Sequence, residues 1–226
     1  EEKPVGLQHR LIEYRDGSTV LEGRLAWDDA DDAPRPGVLV SHAWGGRSAY
    51  EDGKADRLAE LGYAALAVDL YGKGRRGSGP EENAALMQPF LDDRAMLQGR
   101  MQVSLDTLRA QPEVDAVKVA AIGFCFGGTT VLELAYSGAG LRGVASFHGG
   151  LTVPKPEEMK NIKASLLVLH GANDPHIKAD AITAFQEAMR QAGVDWTMVF
   201  FGNAVHSFTN PEAGDDPSQG VAYDPK

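Results

Sequence analysis

The single cysteine of the sequence lies in a glycine-rich stretch whose pattern fits nucleophilic chemistry. Residues 120–135 read Ala-Ala-Ile-Gly-Phe-Cys-Phe-Gly-Gly-Thr-Thr-Val-Leu-Glu-Leu-Ala, which is an apolar run, a tight turn and a helical stretch. This is a nucleophile elbow with cysteine in place of serine, a turn that raises the side chain above the sheet edge. The helix N-terminus favours the thiolate, so Cys125 is the candidate nucleophile, and the Phe126 N–H could receive an oxyanion.

Two later positions could supply the acid and the base of such a site. In hydrolases with this elbow, both follow the nucleophile in loops after later strands. One apolar run, at 165–170, leads to Asp174, and another, at 196–201, leads to His206. His206 would exchange a proton with Cys125, and Asp174 would orient the imidazole. The alternatives are a turn or helix cap for Asp174, a solvated loop residue for His206 and a small buried residue for Cys125.

Short apolar runs alternate with helical stretches, which predicts a β/α chain with a largely parallel sheet. Alternating residues from Leu7 to Tyr14 and from Thr19 to Trp27 flank an Asp16-Gly17 turn and predict an antiparallel hairpin at a sheet edge. The expected fold is α/β, a single domain over residues 1–226 with eight strands and helices on both faces of the sheet. The six further strands are expected at 37–41, 63–69, 117–123, 143–147, 165–170 and 196–201, and helices at about 49–61, 92–110, 127–137 and 178–192.

Composition excludes several classes of protein. The chain has 226 residues and a net charge of −10, which argues against nucleic acid or an anionic membrane as a partner. No apolar run is long enough to span a bilayer, and the opening residues do not form a signal peptide, so a cytoplasmic location is expected. The sequence lacks H-E-x-x-H, C-x-x-C and a complete phosphate-binding loop, so no metal and no cofactor are expected.

Several segments together match one known pattern. They are the hairpin, residues 62–72, the Gly-Phe-Cys-Phe-Gly-Gly elbow, His170-Gly-Ala-Asn-Asp-Pro and His206-Ser-Phe. Through them the sequence resembles the dienelactone hydrolase family of the α/β-hydrolase fold over nearly the whole chain. The resemblance implies Cys125, Asp174 and His206 as a catalytic triad, with the backbone N–H groups of Phe126 and Trp44 as the oxyanion hole. It further implies a cofactor-free ester or lactone hydrolase acting through an acyl-thioester on a small-molecule substrate, as a monomer or weak homodimer.

Two positions depart from the family's pattern in ways that bear on chemistry. Ala43 stands where the family usually has an acidic residue that holds the resting thiol and releases it on substrate binding. Asn210 stands where dienelactone-specific members have an arginine that grips the substrate carboxylate, which makes a dicarboxylate-like lactone a less suitable substrate. Ala43 keeps open the alternative of a catalytically silent scaffold that binds a small ligand or senses oxidants through Cys125.

Three further residues are candidates for the wall of a substrate pocket. His42, Tyr71 and His148 each lie at or just after the end of a predicted strand. Ligand sites of open α/β sheets lie outside the carboxyl ends of the strands, which is where these side chains are expected. For each of them a purely structural role is the alternative.

Overall fold

The computed structural model describes residues 6–30 and 32–225. Within these residues no helix is long and apolar enough to cross a membrane. The strands are β1 (Leu7–Asp16), β2 (Thr19–Asp28), β3 (Arg35–Ser41), β4 (Ala64–Ala67), β5 (Val114–Phe124), β6 (Gly143–Phe147), β7 (Ser165–Gly171) and β8 (Trp196–Phe201). The helices are α1 (Ala49–Glu60), α2 (Pro80–Asp92), α3 (Arg94–Arg109), α4 (Phe126–Tyr136), α5 (Pro156–Met159) and α6 (Ala179–Ala192), and two 3-10 turns follow at Pro211–Ala213 and Pro217–Gln219.

The described strands form one mixed sheet in the order β1-β2-β4-β3-β5-β6-β7-β8. The hairpin of β1 and β2 is antiparallel, with Asp16 opposite Thr19 next to the turn, and β2 pairs antiparallel with β4. The pairs β3–β4, β6–β7 and β7–β8 are parallel. The predicted eight-stranded α/β fold, mostly parallel with an antiparallel N-terminal edge, is therefore confirmed.

Two helices, the four-residue α5 and the longer α2, were not predicted from the sequence pattern. Helix α2 contains Pro80 and Pro89, and prolines usually argue against a helix. Pro80 lies in the first turn, where a helix has no acceptor for the missing N–H. Pro89 lies one turn before the end, and its carbonyl still accepts from the Asp93 N–H. Pro80 therefore fits the start of the helix, whereas Pro89 removes one hydrogen bond from its interior.

The chain divides into two compact units, a first unit up to Ala121 and a second unit from Ile122 onward. In the first unit, α1 packs on β2, β3 and β4, around side chains such as Leu25, Leu39 and Leu66 that are fully buried. In the second unit, α4 packs on β6 and every residue of α4 is buried. The single domain predicted over residues 1–226 stays a prediction, and residues 1–5, 31 and 226 lie outside the described residues.

The turn from β5 into α4 brings two stretches of backbone into unusually close contact. A Cβ atom on Gly123 would lie 2.0 Å from the carbonyl oxygen of Gly127. A Cβ atom on Gly128 would lie 2.6 Å from the Ser146 hydroxyl. Cys125, between these glycines, has φ 55° and ψ −118°, a conformation that L-residues rarely adopt. Only glycine fits at these flanking positions, and the glycines allow the sharp turn.

Replacing Gly123 by alanine tests this packing. We expect Gly123→Ala to lower the free energy of unfolding by at least about 3 kcal/mol, because the new methyl group meets backbone that cannot move aside. Gly53→Ala is the matched control, since Gly53 lies on the exposed face of α1 with open space around it. There we expect a gain of about 0.5–1 kcal/mol from helix propensity. Urea denaturation measures both, and equal stabilities of the two variants would contradict the close-contact account.

Candidate active site

Three residues that the sequence predicts as a site lie together in the second unit. Asp174 follows β7, His206 follows β8 and Cys125 lies at the turn before α4. The Nδ1 atom of His206 lies 2.8 Å from Oδ2 of Asp174. The Cys125 side chain lies close enough to the same ring to raise its pKa. One imidazole therefore contacts the carboxylate and lies near the sulfur.

The Asp174 loop is fixed by backbone contacts and by burial. Its N–H donates to the carbonyl of Gly171, and its Oδ1 accepts from the His176 N–H at 2.9 Å. The Asp174 side chain has no exposed surface. A Cβ atom on Gly171 would lie 2.6 Å from the carbonyl oxygens of Ala204 and Val205, so glycine lets the two loops approach. These contacts position the Asp174 carboxylate independently of its bond with His206.

The backbone of His206 is held by the segment that follows it in the chain. The His206 N–H donates to Gly220 at 3.1 Å, and its carbonyl accepts from Ala222 at 3.1 Å. The next residue, Ser207, has φ 59°, so the chain turns sharply after the histidine. These bonds fix the direction from which the imidazole enters the site.

The charges of the three groups are coupled. Burial by itself would lower the pKa of His206, but the hydrogen bond with Asp174, the interaction with the Cys125 side chain and the negative charge of Asp174 raise it to about 10. Burial by itself would raise the pKa of Asp174, but the hydrogen bond from His206 and the charge of the ring hold it below its usual value. At neutral pH the ring is therefore an imidazolium beside a carboxylate.

His148, predicted as a pocket residue, contacts both Cys125 and His206. Its side chain is almost fully buried, with 2% of the residue exposed, and its backbone has φ 42°. Nδ1 accepts from the Cys125 N–H at 3.1 Å, and Nε2 lies 2.8 Å from the Thr209 hydroxyl. Burial and the nearby charge of His206 lower the pKa of His148 to about 3, so the ring is neutral. Its contribution to a pocket wall stays a prediction.

Two side chains near His206 were not singled out from the sequence. The exposed ring of His176 lies edge-on to His206 with 4.9 Å between ring centroids. The hydroxyl of Thr209, three residues after His206, is hydrogen-bonded to His148, which lies 61 positions earlier in the sequence. Isolated polar residues in loops give no sequence signal that separates such contacts from ordinary solvation.

The other predicted pocket residues and Trp44 belong to the first unit. His42 is fully buried; its Nδ1 donates to the carbonyl of Ala43 at 2.6 Å and its Nε2 accepts from the Leu70 N–H. The Tyr71 hydroxyl donates to the Trp44 carbonyl at 2.9 Å. Roles for His42 and Tyr71 in a pocket, and for the Trp44 N–H in an oxyanion hole, stay predictions.

The backbone at Ala43 is held by a carboxylate from another position. Glu51 is buried and accepts from the Ala43 N–H at 3.3 Å. Its other oxygen accepts from the N–H and the hydroxyl of Ser48, at 2.8 Å and 2.7 Å. Ser48-x-x-Glu51 is a capping box at the start of α1, and that pattern is the sequence signal that could have identified it.

Asn210 caps the first 3-10 turn, with its Oδ1 accepting from the Glu212 N–H at 3.0 Å. Among residues 6–30 and 32–225, no group of three or more His, Cys, Asp or Glu side chains is placed to hold a metal ion. Independence from metal and cofactor stays a prediction.

The comparisons with known proteins identify the family of this chain. The pattern of the Dienelactone hydrolase family matches residues 21–226. A solved structure named m3DLH is 46% identical, covers 97% of this chain and 92% of its own, and has a TM-score of 0.94. A dienelactone hydrolase-like promiscuous phosphotriesterase from metagenomic libraries is 43% identical, with the same coverage and a TM-score of 0.93.

A curated relative from Methylorubrum extorquens, provisionally named as a carboxymethylenebutenolidase, is 28% identical over 245 residues, covering 96% of this chain and 82% of the relative. A family match over most of the chain and near-complete structural overlap at more than 40% identity lead to one conclusion. The chain belongs to the dienelactone hydrolase family and has its α/β-hydrolase fold.

Proposed function

We propose that this protein is a cofactor-free hydrolase of carboxylic esters or lactones, with Cys125 as nucleophile, His206 as proton carrier and Asp174 as the residue that orients His206. The observation that carries the proposal is the His206 ring, which contacts the Asp174 carboxylate at 2.8 Å and lies near enough to the Cys125 side chain for that side chain to raise its pKa. Membership of a hydrolase family supports the reaction type.

In the proposed acylation step, the sulfur of Cys125 attacks the carbonyl carbon of the ester and a tetrahedral oxyanion forms. The N–H of Phe126, the first residue of α4, would stabilise that oxyanion at the positive end of the helix, together with the Trp44 N–H. The His206 imidazolium then gives its proton to the departing alkoxide, which leaves as an alcohol. The product is an acyl-thioester on Cys125 and a neutral imidazole.

In the proposed deacylation step, the neutral His206 ring accepts a proton from water. Acylation removes the negative charge of the sulfur, which is one of the causes that hold the pKa of His206 high. The ring can therefore act as a base in this step, although it is an acid in the first one. Hydroxide attacks the thioester, the carboxylic acid leaves and the thiolate–imidazolium pair returns.

Asn210 bears on the class of substrate. It is uncharged and its side chain caps a 3-10 turn. Because the family resemblance places a carboxylate-binding arginine at this position, we propose neutral aryl esters and neutral lactones as substrates. The carboxymethylenebutenolidase name of the Methylorubrum relative supports including lactones.

Substituting the nucleophile tests the proposal. We expect the wild type to hydrolyse p-nitrophenyl esters or simple lactones, and Cys125→Ala to lower kcat/KM by at least about 10³-fold because no thioester can form. Asp174→Asn should lower it by about 10²- to 10⁴-fold, because the amide no longer orients His206. Thr183→Val, on the exposed surface of α6, is the control and should keep the wild-type rate.

Undiminished turnover in Cys125→Ala would refute the proposed mechanism. Fast oxidation of Cys125 by peroxide, with no burst of p-nitrophenol, would instead favour an oxidant sensor.

The titration of His206 tests the proposed charge pairing. In the wild type we expect the ring to lose its proton at about pH 10. Cys125→Ala and Asp174→Asn each remove an interaction that raises the pKa of His206, so each should lower that pKa. NMR of the imidazole carbons as a function of pH measures the shift. If His206 has the same pKa in Cys125→Ala as in the wild type, the sulfur does not interact with the imidazole ring.

A phosphotriesterase activity is a second candidate, because the metagenomic relative at 43% identity is described as having one. We propose that the same sulfur attacks phosphorus and displaces an aryloxide from a dialkyl aryl phosphate. Water then cleaves the S–P bond, which releases a dialkyl phosphate and restores the sulfur. Cys125→Ala should then abolish phosphotriester and ester turnover together, and a phosphotriester should inhibit ester turnover competitively. Phosphotriester turnover that survives in Cys125→Ala would exclude this site as its source.

A further inference from the structure

A buried histidine joins the nucleophile turn to the loop that carries His206. His148 follows β6, and its Nδ1 lies 3.1 Å from the backbone nitrogen of Cys125. A backbone N–H can only donate, so Nδ1 is the acceptor and the neutral ring carries its proton on Nε2. That Nε2–H therefore donates to the Thr209 hydroxyl at 2.8 Å. Both nitrogens are thus used in one tautomer.

The backbone conformation of His148 is strained and needs hydrogen bonds to hold it. A non-glycine residue at φ 42° is strained, and Cys125 at φ 55° is strained as well. The His148 N–H donates to Leu169 at 2.8 Å, and the Cys125 N–H is shared between His148 and the Phe147 carbonyl, at 3.0 Å from the latter. The two strained residues are therefore linked to each other by a side chain.

The ring of His148 also packs against the proton carrier. Its centroid lies 5.2 Å from that of His206 in an edge-on arrangement, and 5.2 Å from that of Phe208. A protonated ring here would repel the His206 imidazolium, and burial disfavours that charge. His148 can therefore touch His206 and keep a constant charge as His206 gains and loses a proton.

We propose that His148 is a positioning residue for the reaction: as a neutral bridge from the Cys125 amide to the Thr209 hydroxyl, it sets the spacing between the Cys125 sulfur and the His206 ring. The turnover part of this inference rests on the proposed function. The geometric part does not, because the reactivity of the thiol can be measured without any turnover.

Four variants separate the two bonds of the bridge. His148→Phe keeps a planar ring and removes both bonds. His148→Asn keeps an acceptor near the Nδ1 position and tolerates the left-handed backbone, but does not reach Thr209. Thr209→Val removes the bridge from the other end, and His148→Phe/Thr209→Val completes a double-mutant cycle. His9→Phe on β1 and Thr183→Val on α6 are the exposed controls.

Rates are measured per folded molecule, with the folded fraction taken from circular dichroism, so that an unfolded fraction does not count as lost activity. We expect His148→Phe to lower kcat by about 10- to 100-fold with KM within about twofold, because the reacting groups are displaced while substrate binding is kept. His148→Asn and Thr209→Val should each lose less. The double variant should be no worse than His148→Phe, since one bridge cannot be lost twice.

Alkylation of Cys125 by iodoacetamide across pH gives the readout that needs no substrate. If His148 holds the sulfur beside the imidazolium, the midpoint of the alkylation profile should move to higher pH in His148→Phe, and by less in Thr209→Val. A role in stability alone would lower the melting temperature and leave this midpoint in place.

The outcomes distinguish the two claims. A wild type without ester turnover, together with a shifted alkylation profile in His148→Phe, would refute the proposed function and support the positioning role. Normal wild-type turnover, with kcat and alkylation profile unchanged in His148→Phe, would overturn the positioning role and leave the proposed function standing. Additive losses of kcat in His148→Phe/Thr209→Val would also overturn the proposed bridge, because they would show that the two side chains act independently.

Discussion

The contact of the His206 imidazole with the buried Asp174 carboxylate is the interaction on which the site depends. Asp174 has no exposed side-chain surface, and a buried carboxylate is costly unless a charged or hydrogen-bonding partner compensates it. His206 supplies that compensation at 2.8 Å, and the Cys125 side chain lies near enough to raise the pKa of the same ring. Because the pKa of the ring is raised to about 10, the loops after β7 and β8 hold an imidazolium–carboxylate pair at neutral pH.

The site residues are brought together by close approach of backbone segments, and this approach also costs stability. Gly123 and Gly171 each lie where a Cβ atom would collide with backbone, the first at the nucleophile turn and the second beneath the His206 loop. Among the described residues, the non-glycines with positive φ are Cys125, His148 and Ser207, all within this site. Strain concentrated at one place must be held by its surroundings, and the fully buried helix α4 on β6 provides such support.

The sequence predicted the parts of this account that leave a local pattern. Cys125 lies in a glycine-flanked elbow, and Asp174 and His206 each follow an apolar run, so their places in the chain were readable without coordinates. Helix α2 was missed because its two prolines argue against a helix unless their positions within it are known. The Thr209–His148 bond joins residues 61 positions apart and leaves no periodic signal, so only the folded chain brings them together. Glu51 did leave a signal, the capping box with Ser48, but its bond to Ala43 depends on tertiary structure.

The central claim is that the sulfur of Cys125 forms a covalent bond with the acyl group of the substrate. Mixing the protein with an aryl ester, quenching with acid within one turnover and measuring the intact mass tests it most directly. The account predicts a mass increase of one acyl group, located by peptide mapping on Cys125 and decaying as the acid product appears. Steady turnover with no adduct, or an adduct on another residue that forms and decays at the rate of turnover, would contradict it.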